Sequence, residues 1–151
     1  IKALGYPVYL VPSCRGDTFL KDVSHKTDTP LVPVRISVFM GAAILGKARL
    51  LLSGRYHPSI MAGMGGTPSI FFEADSHKTL SLQKLLGYPN PKQFSAAPTS
   101  NELEVSLQEA RDLLAAGDDL REQLRHHAEK LYHASLELPN YVYEATAEGQ
   151  V

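Results

Sequence analysis

The residues best suited to chemistry lie in the segment SGRYH at residues 53–57, which follows an apolar run and precedes Pro58. Gly54 permits a tight turn, and Pro58 suits the first turn of a helix. The free N–H groups at a helix start carry partial positive charge and attract anions. Arg55 adds a planar fork that fits a carboxylate or phosphate, and His57 can transfer a proton near neutral pH. The segment therefore predicts an anion-binding turn.

The same two side chains also fit structural roles. Arg55 can cap a carbonyl or form a salt bridge with a neighbouring domain, and His57 can be a simple helix cap. Strand-to-helix turns with one Arg and one His are common, so the spacing alone leaves both interpretations open. If a ligand binds, we expect Ser53 and Gly54 to contact it together with Arg55 and His57.

Other polar residues are weaker candidates. Arg15, in a loop at residues 13–17, and Lys78, at the start of a predicted helix, can each contact an anion, although such positions often carry solvated charges. Cys14 adjoins Arg15, which can lower the pKa of a thiol, but no base accompanies it and we expect an inert thiol. No metal site is expected, because the spacing of the helical histidines does not suit one. We interpret them as a solvated or interdomain face: His126, His127 and His133.

The elements that must position these residues follow a simple pattern up to about residue 87. Short apolar runs alternate with amphipathic stretches, which is typical of an α/β fold with a parallel sheet covered on both faces. The pattern predicts strands at residues 8–11, 31–34, 50–53 and 69–72. It predicts helices at residues 17–25, 37–46, 58–64 and 78–86.

Caps and loops complete this expectation. Asp17 and Ser76 are the predicted N-caps of the first and fourth helices, and left-handed helix ends are predicted at three glycines: Gly65, Gly66 and Gly87. The loops that follow parallel strands meet at one edge of the sheet, where ligands bind. We therefore expect three polar loops to converge, at residues 13–17, 53–57 and 73–78.

The periodicity changes beyond a proline-rich connector. Thr99 and Glu102 form a capping-box pattern ahead of a helix that Gly117 ends. Asp119 and Glu122 repeat the pattern ahead of a second helix. These residues predict two consecutive helices whose apolar stripes pack on the sheet or on another domain.

Three parts are expected along the chain. They are a parallel-sheet α/β domain at residues 1–100, a helical hairpin packed on it at residues 101–137, and a tail at residues 138–151. The chain begins like the last turn of a helix closed by Gly5, so we also expect an N-terminal domain before it.

Composition excludes several classes of function. The chain has 151 residues, of which 44% are hydrophobic and 21% charged, as in an ordinary soluble domain. The formal net charge of -1 gives no field that would attract a nucleic acid or an anionic membrane. Cys14 is the only cysteine, which rules out an internal disulfide, and no apolar run is long enough to span a bilayer. A cytoplasmic setting fits best.

Residues 51–70, LLSGRYHPSIMAGMGGTPSI, resemble the signature of the polysaccharide pyruvyl transferase family. In that family a strand ending in Ser-x-Arg-x-His leads to a helix with a small residue where Ala62 lies, then to Gly-x-Pro and another strand. Two further residues agree with the family in their order along the chain. Asp17, which comes after Pro12, precedes this signature, and Lys78 follows it. The resemblance covers roughly residues 8–87 and is specific only at residues 53–70.

This resemblance implies two Rossmann-like domains facing a cleft, similar to the GT-B glycosyltransferases, with residues 1–100 as the donor-binding domain. Family members move the enolpyruvyl group of phosphoenolpyruvate onto two hydroxyls of a sugar or polysaccharide, forming a pyruvate ketal. Phosphoenolpyruvate is the co-substrate and no cofactor is implied. Arg55 would hold its carboxylate or phosphate, His57 would act as general acid or base, and Lys78 would be a second phosphate contact. The isolated chain would be inactive, because the acceptor site lies in the N-terminal domain.

Two alternatives remain. A GT-B glycosyltransferase or sugar-nucleotide epimerase also binds a phosphorylated donor at helix N-termini, but usually has a Gly-rich or Glu-bearing segment where this chain has Arg-x-His. A non-catalytic binding domain can keep the same fold, since fold alone does not define function.

Overall fold

The computed structural model describes residues 1–73 and 78–147. These residues form a mixed α/β fold, as predicted, although helices dominate it. A parallel sheet is formed by β1, Leu51–Ser53, and β2, Ser69–Phe71. The helices are α1, Leu20–Thr27; α2, Val38–Lys47; α3, Tyr56–Met64; α4, Lys78–Leu85; α5, Ser100–Ala115; α6, Gly117–Leu136; and α7, Leu138–Ala147. None of the helices described is both long and apolar enough to cross a membrane.

The two strands and α3 between them form a single βαβ unit. In the parallel register Leu51 lies opposite Ser69, and Ser53 lies opposite Phe71. Both strands fall within the ranges predicted from the apolar runs, and α3 begins two residues before the predicted start at Pro58. The unit thus places the turn at residues 53–57 at the carboxyl end of β1.

The prediction of full strands at residues 8–11 and 31–34 is wrong. The two segments meet only at an isolated parallel bridge between Leu10 and Leu31. Pro30 and Pro33 flank the second segment, and a proline has no N–H to donate to a ladder. The described sheet therefore has two strands instead of four.

Two helix starts carry the caps that their sequences predict. The Ser37 hydroxyl accepts a hydrogen bond of 3.1 Å from the N–H of Met40 at the start of α2. Thr99 and Glu102 form a reciprocal capping box at the start of α5. Each side-chain bond satisfies a backbone group that the helix itself leaves unpaired.

Other predicted helix ends differ. Asp17 opens a short 3-10 turn, Asp17–Phe19, and its carboxylate caps no helix. Asp119 does not cap α6, because that helix begins at Gly117, with only Ala116 between it and α5. The left-handed residue after α3 is Gly66, with φ 77°, whereas Gly65 has φ -87°. The predicted cap at Ser76 lies outside the described residues.

The core lies on both faces of the sheet. Ile70 packs with Phe94 and with Ala110 of α5, whereas its neighbour Phe71 packs with α4 and with Leu124 of α6. Adjacent residues of a strand point to opposite faces. Helices α5 and α6, predicted to be a hairpin, therefore cover opposite faces of the sheet, and left-handed Gly117 is the first residue of α6. Burying a side chain such as that of Leu124 contributes about 1.5–3 kcal/mol.

Helix α6 also contacts the end of α3 closely. A Cβ atom at Gly66 would collide with the carbonyl oxygen of Arg121, so the site requires glycine for space as well as for its positive φ. Half-buried His127 packs against Gly87, and its Nδ1 lies 3.0 Å from the Gln123 carbonyl oxygen. These contacts hold α6 across the βαβ unit.

Candidate functional site

The turn after β1 is shaped by its own side chains and by the chain beside it. The Ser53 hydroxyl accepts a hydrogen bond of 2.9 Å from the backbone N–H of Arg55, which closes the turn. A Cβ atom at Gly54 would lie 3.3 Å from the carbonyl oxygen of Glu73, which follows β2. Gly54 thus lets the segments that follow the two strands approach each other.

Arg55 is the N-cap residue of α3, with extended backbone angles of φ -98° and ψ 133°. Its carbonyl accepts a hydrogen bond of 2.8 Å from the buried hydroxyl of Ser59, which secures the first helical turn. The Arg55 side chain does not cap the helix. It extends instead toward the loop at residues 13–17, so its guanidinium lies beside that loop at the carboxyl end of β1.

Arg55 forms an ion pair with Asp17. Its Nη2 donates a hydrogen bond of 2.5 Å to Oδ1 of the carboxylate. The Asp17 side chain is 5% exposed, whereas that of Arg55 is 56% exposed. A second, weak contact of 3.9 Å joins Nη1 of Arg55 to Sγ of Cys14. The buried carboxylate therefore orients a guanidinium that stays open to solvent.

The Asp17 carboxylate is itself held by the loop at residues 13–17. Oδ2 accepts hydrogen bonds from the backbone N–H of Ser13 at 2.7 Å, from its hydroxyl at 2.9 Å and from the N–H of Cys14 at 3.1 Å. Burial raises the pKa of Asp17, but these hydrogen bonds and the Arg55 charge outweigh burial and hold that pKa below its ordinary value. Asp17 is therefore ionised at neutral pH.

The predicted convergence of loops is thus found for the loops at residues 13–17 and 53–57. They meet through Asp17 and Arg55. The third polar loop reaches the same place at Glu73, beside Gly54, and the rest of it up to His77 lies outside the described residues.

The other predicted site residues lie in the first loop and in the first turns of α3 and α4. His57, in the first turn of α3, is exposed, and its ring contacts that of Tyr56 edge-on at 5.7 Å between centroids. Lys78 is exposed at the first position of α4. Arg15 is exposed and has no hydrogen bond or ion pair with any described residue. The structure therefore joins Arg55 to the first loop, but not through Arg15.

The sequence interpretation missed the role of Asp17, which it treated as a helix cap. The sequence placed Asp17 and Arg55 in two loops that were predicted to converge, but nothing in it specifies that these two side chains pair. The contact of Cys14 with Arg55 follows from the same geometry.

The arrangement can bind an anion by directional hydrogen bonds. The contacts with Asp17 and Cys14 engage two N–H groups of Arg55. An arginine has further donors in the same plane, which suit a carboxylate or phosphate. His57, close by in sequence and exposed, can exchange a proton with a ligand.

Within residues 1–73 and 78–147, no cluster of three or more His, Cys, Asp or Glu side chains could hold a metal ion. Comparisons of the chain with protein families, with curated proteins and with solved structures find no match.

Proposed function

We propose that this chain is the donor-binding half of an enzyme similar to the polysaccharide pyruvyl transferases. In this proposal it is the Rossmann-like second domain of a GT-B-like pair. Its donor is phosphoenolpyruvate, its acceptor is a sugar or polysaccharide, and an N-terminal domain supplies the other wall of the cleft. The observation that carries the proposal is the solvent-open guanidinium of Arg55, fixed by Asp17 where the first loop meets the turn after β1.

Arg55 suits the donor for a geometric reason. Phosphoenolpyruvate carries a carboxylate and a phosphate, and each accepts the paired hydrogen bonds that a planar guanidinium donates. The start of α3, at Tyr56, adds the partial positive charge of a helix N-terminus. Where nucleotide-binding relatives of this architecture usually have a Gly-rich or Glu-bearing segment for diphosphate and ribose, this turn has Arg-x-His, which favours a small doubly acidic molecule over a nucleotide.

His57 is the proposed proton carrier. In ketal formation a proton is added to the methylene carbon of phosphoenolpyruvate, two sugar hydroxyls bond to its central carbon, and inorganic phosphate leaves. One hydroxyl proton balances the new methyl group, and the other departs with the phosphate. An exposed imidazole in the first turn of α3 can supply or remove a proton in either step.

Thermal shift separates this proposal from a nucleotide-sugar enzyme. We expect phosphoenolpyruvate to raise the melting temperature of the protein, because a ligand that binds only the folded state stabilises it. Nucleotide sugars at the same concentration and ionic strength should have no effect. Stabilisation by nucleotide sugars alone would reject the pyruvyl donor and favour a glycosyltransferase or epimerase.

Substitutions test the two roles in the protein together with its N-terminal domain. Arg55→Ala and His57→Ala should each lower pyruvylation by about two to four orders of magnitude, since each removes charge stabilisation or proton transfer. His126→Ala is the matched control, because that histidine is exposed on α6. Near-normal turnover in both site variants would end the catalytic assignment.

A further inference from the structure

The two carboxylate oxygens of Asp17 have different partners. Three donors from Ser13 and Cys14 fix Oδ2 without any help from Arg55. The remaining oxygen, Oδ1, accepts the 2.5 Å bond from Arg55. The loop therefore fixes the carboxylate, and the carboxylate fixes the guanidinium.

Arg55 depends on this bond more than Asp17 does. Its side chain is 56% exposed, and its further contact with a side chain, the 3.9 Å approach to Cys14, is weak. A long, exposed arginine without a partner samples many rotamers, and ordering it on ligand binding costs free energy. A partner that holds the side chain in place beforehand removes part of that cost.

We propose that Asp17 is a positioning residue for anion binding: it orients the Arg55 guanidinium so that its free edge receives the acidic group of the donor. This inference rests on the proposed function. Asp17 acts through Arg55 and does not itself touch the ligand. The negative charge of Asp17 weakens the overall attraction, so binding relies on directional hydrogen bonds and selects oxyanions such as a carboxylate or phosphate over simple anions such as chloride.

A double-mutant cycle on the full chain tests this role, with phosphoenolpyruvate as the titrant in calorimetry. Asp17→Asn keeps the size of the side chain and an acceptor for Ser13, but removes the charge that holds Arg55. We expect Asp17→Asn to weaken binding about ten- to a hundred-fold, as loss of an orienting partner does at other sites. In an Arg55→Gln background the same change should have no further effect.

Asp22→Asn is the matched control. It makes the same change of charge at an exposed position of α1 and leaves the contacts of Asp17 and Arg55 in place. Binding should be nearly unchanged in this variant, whereas an effect of net charge alone would change binding in both variants alike. Nitrogen-15 relaxation of Arg55 Nε gives a second readout. The order parameter of this N–H group should fall in Asp17→Asn in the absence of ligand.

The outcomes separate the two proposals. If the unmutated protein does not bind phosphoenolpyruvate, the proposed function fails and this inference fails with it. If the protein binds but Asp17→Asn binds equally well or more tightly, the positioning role is wrong and the function stands. Equal weakening in the presence and absence of Arg55 would show that Asp17 acts by another route and would also overturn the role.

Discussion

Arg121 and Ala48 are joined by a hydrogen bond of 2.6 Å, in which Nη1 of the arginine on α6 donates to the carbonyl just beyond α2. Nη2 donates to the carbonyl of Gly46 at 3.3 Å. A cation at a helix C-terminus satisfies carbonyls that the helix leaves unpaired. Burial and the charges of Arg49 and Arg125 lower the pKa of Arg121, and Asp118 raises it. The guanidinium nevertheless stays charged and ties α6 to α2.

Arg121→Met should lower the free energy of unfolding by about 2 kcal/mol, because hydrogen bonds to a charged group are lost while the volume is largely kept. Urea unfolding followed by circular dichroism measures this change. Arg125→Met on the same helix is the control, since Arg125 is exposed and should change stability little. Equal losses in the two variants would contradict a specific role for Arg121.

Gly66→Ala should destabilise the protein more than Gly117→Ala. Both glycines have positive φ, 77° and 62°, so both substitutions incur a left-handed cost of about 1–2 kcal/mol. A Cβ atom at Gly66 also collides with the Arg121 carbonyl, whereas one at Gly117 meets nothing within 4 Å among the described residues. The difference in melting temperature between the two variants measures the destabilisation that the collision at Gly66 causes. Equal melting temperatures would mean that α6 can move away from Gly66.

The thiol of Cys14 should report occupancy of the anion site. It is exposed, its Sγ lies 3.9 Å from Nη1 of Arg55, and no other cysteine is present. Phosphoenolpyruvate at ten times its dissociation constant should slow alkylation by iodoacetamide about tenfold, because only free protein reacts. The rate is followed by mass spectrometry. Protection should disappear in Arg55→Gln, and protection that persists in this variant would place the ligand elsewhere.

Asp17 should make the free energy of unfolding depend on pH in the acid range. Its pKa in the folded state lies below the unfolded value, so its stabilising effect is complete above about pH 4 and is lost as the pH falls through the folded pKa. The difference in unfolding free energy between the unmutated protein and Asp17→Asn should therefore be constant from pH 7 to pH 5 and shrink below pH 4. Urea titrations at several pH values measure it. A difference that is unchanged at pH 3 would show that the carboxylate charge does not matter.

The sequence predicted local features well where a short residue pattern determines the local structure. The apolar runs around Leu52 and Ile70 gave strands, and the capping box at Thr99 gave the start of α5. Placing chemistry at the carboxyl ends of parallel strands also predicted that the first loop meets Arg55. The strands and the capping box follow from rules that need only a few neighbouring residues, whereas the meeting of the loops follows from the parallel arrangement of the segments before them.

Features that depend on distant partners were not predictable in this way. Asp17 resembles a helix cap in sequence, but its carboxylate turns back to Ser13 and across to Arg55. The opposite placement of α5 and α6 depends on which neighbours Ile70 and Phe71 find, and helical periodicity does not specify a face of the sheet. The hydrogen bond from Arg121 to the carbonyl of Ala48, just beyond α2, joins residues that are 73 positions apart in the sequence.

The placement of α5 and α6 on opposite sides also affects how the chain can be made. Ile70 and Phe71 are synthesised long before their packing partners on α5 and α6, which are Ala110 and Leu124 respectively. Until α5 and α6 have left the exit tunnel, the βαβ unit lacks part of its apolar cover, so it cannot reach its final packing. Fragments that end before α6 would therefore leave part of this apolar surface exposed and prone to aggregation.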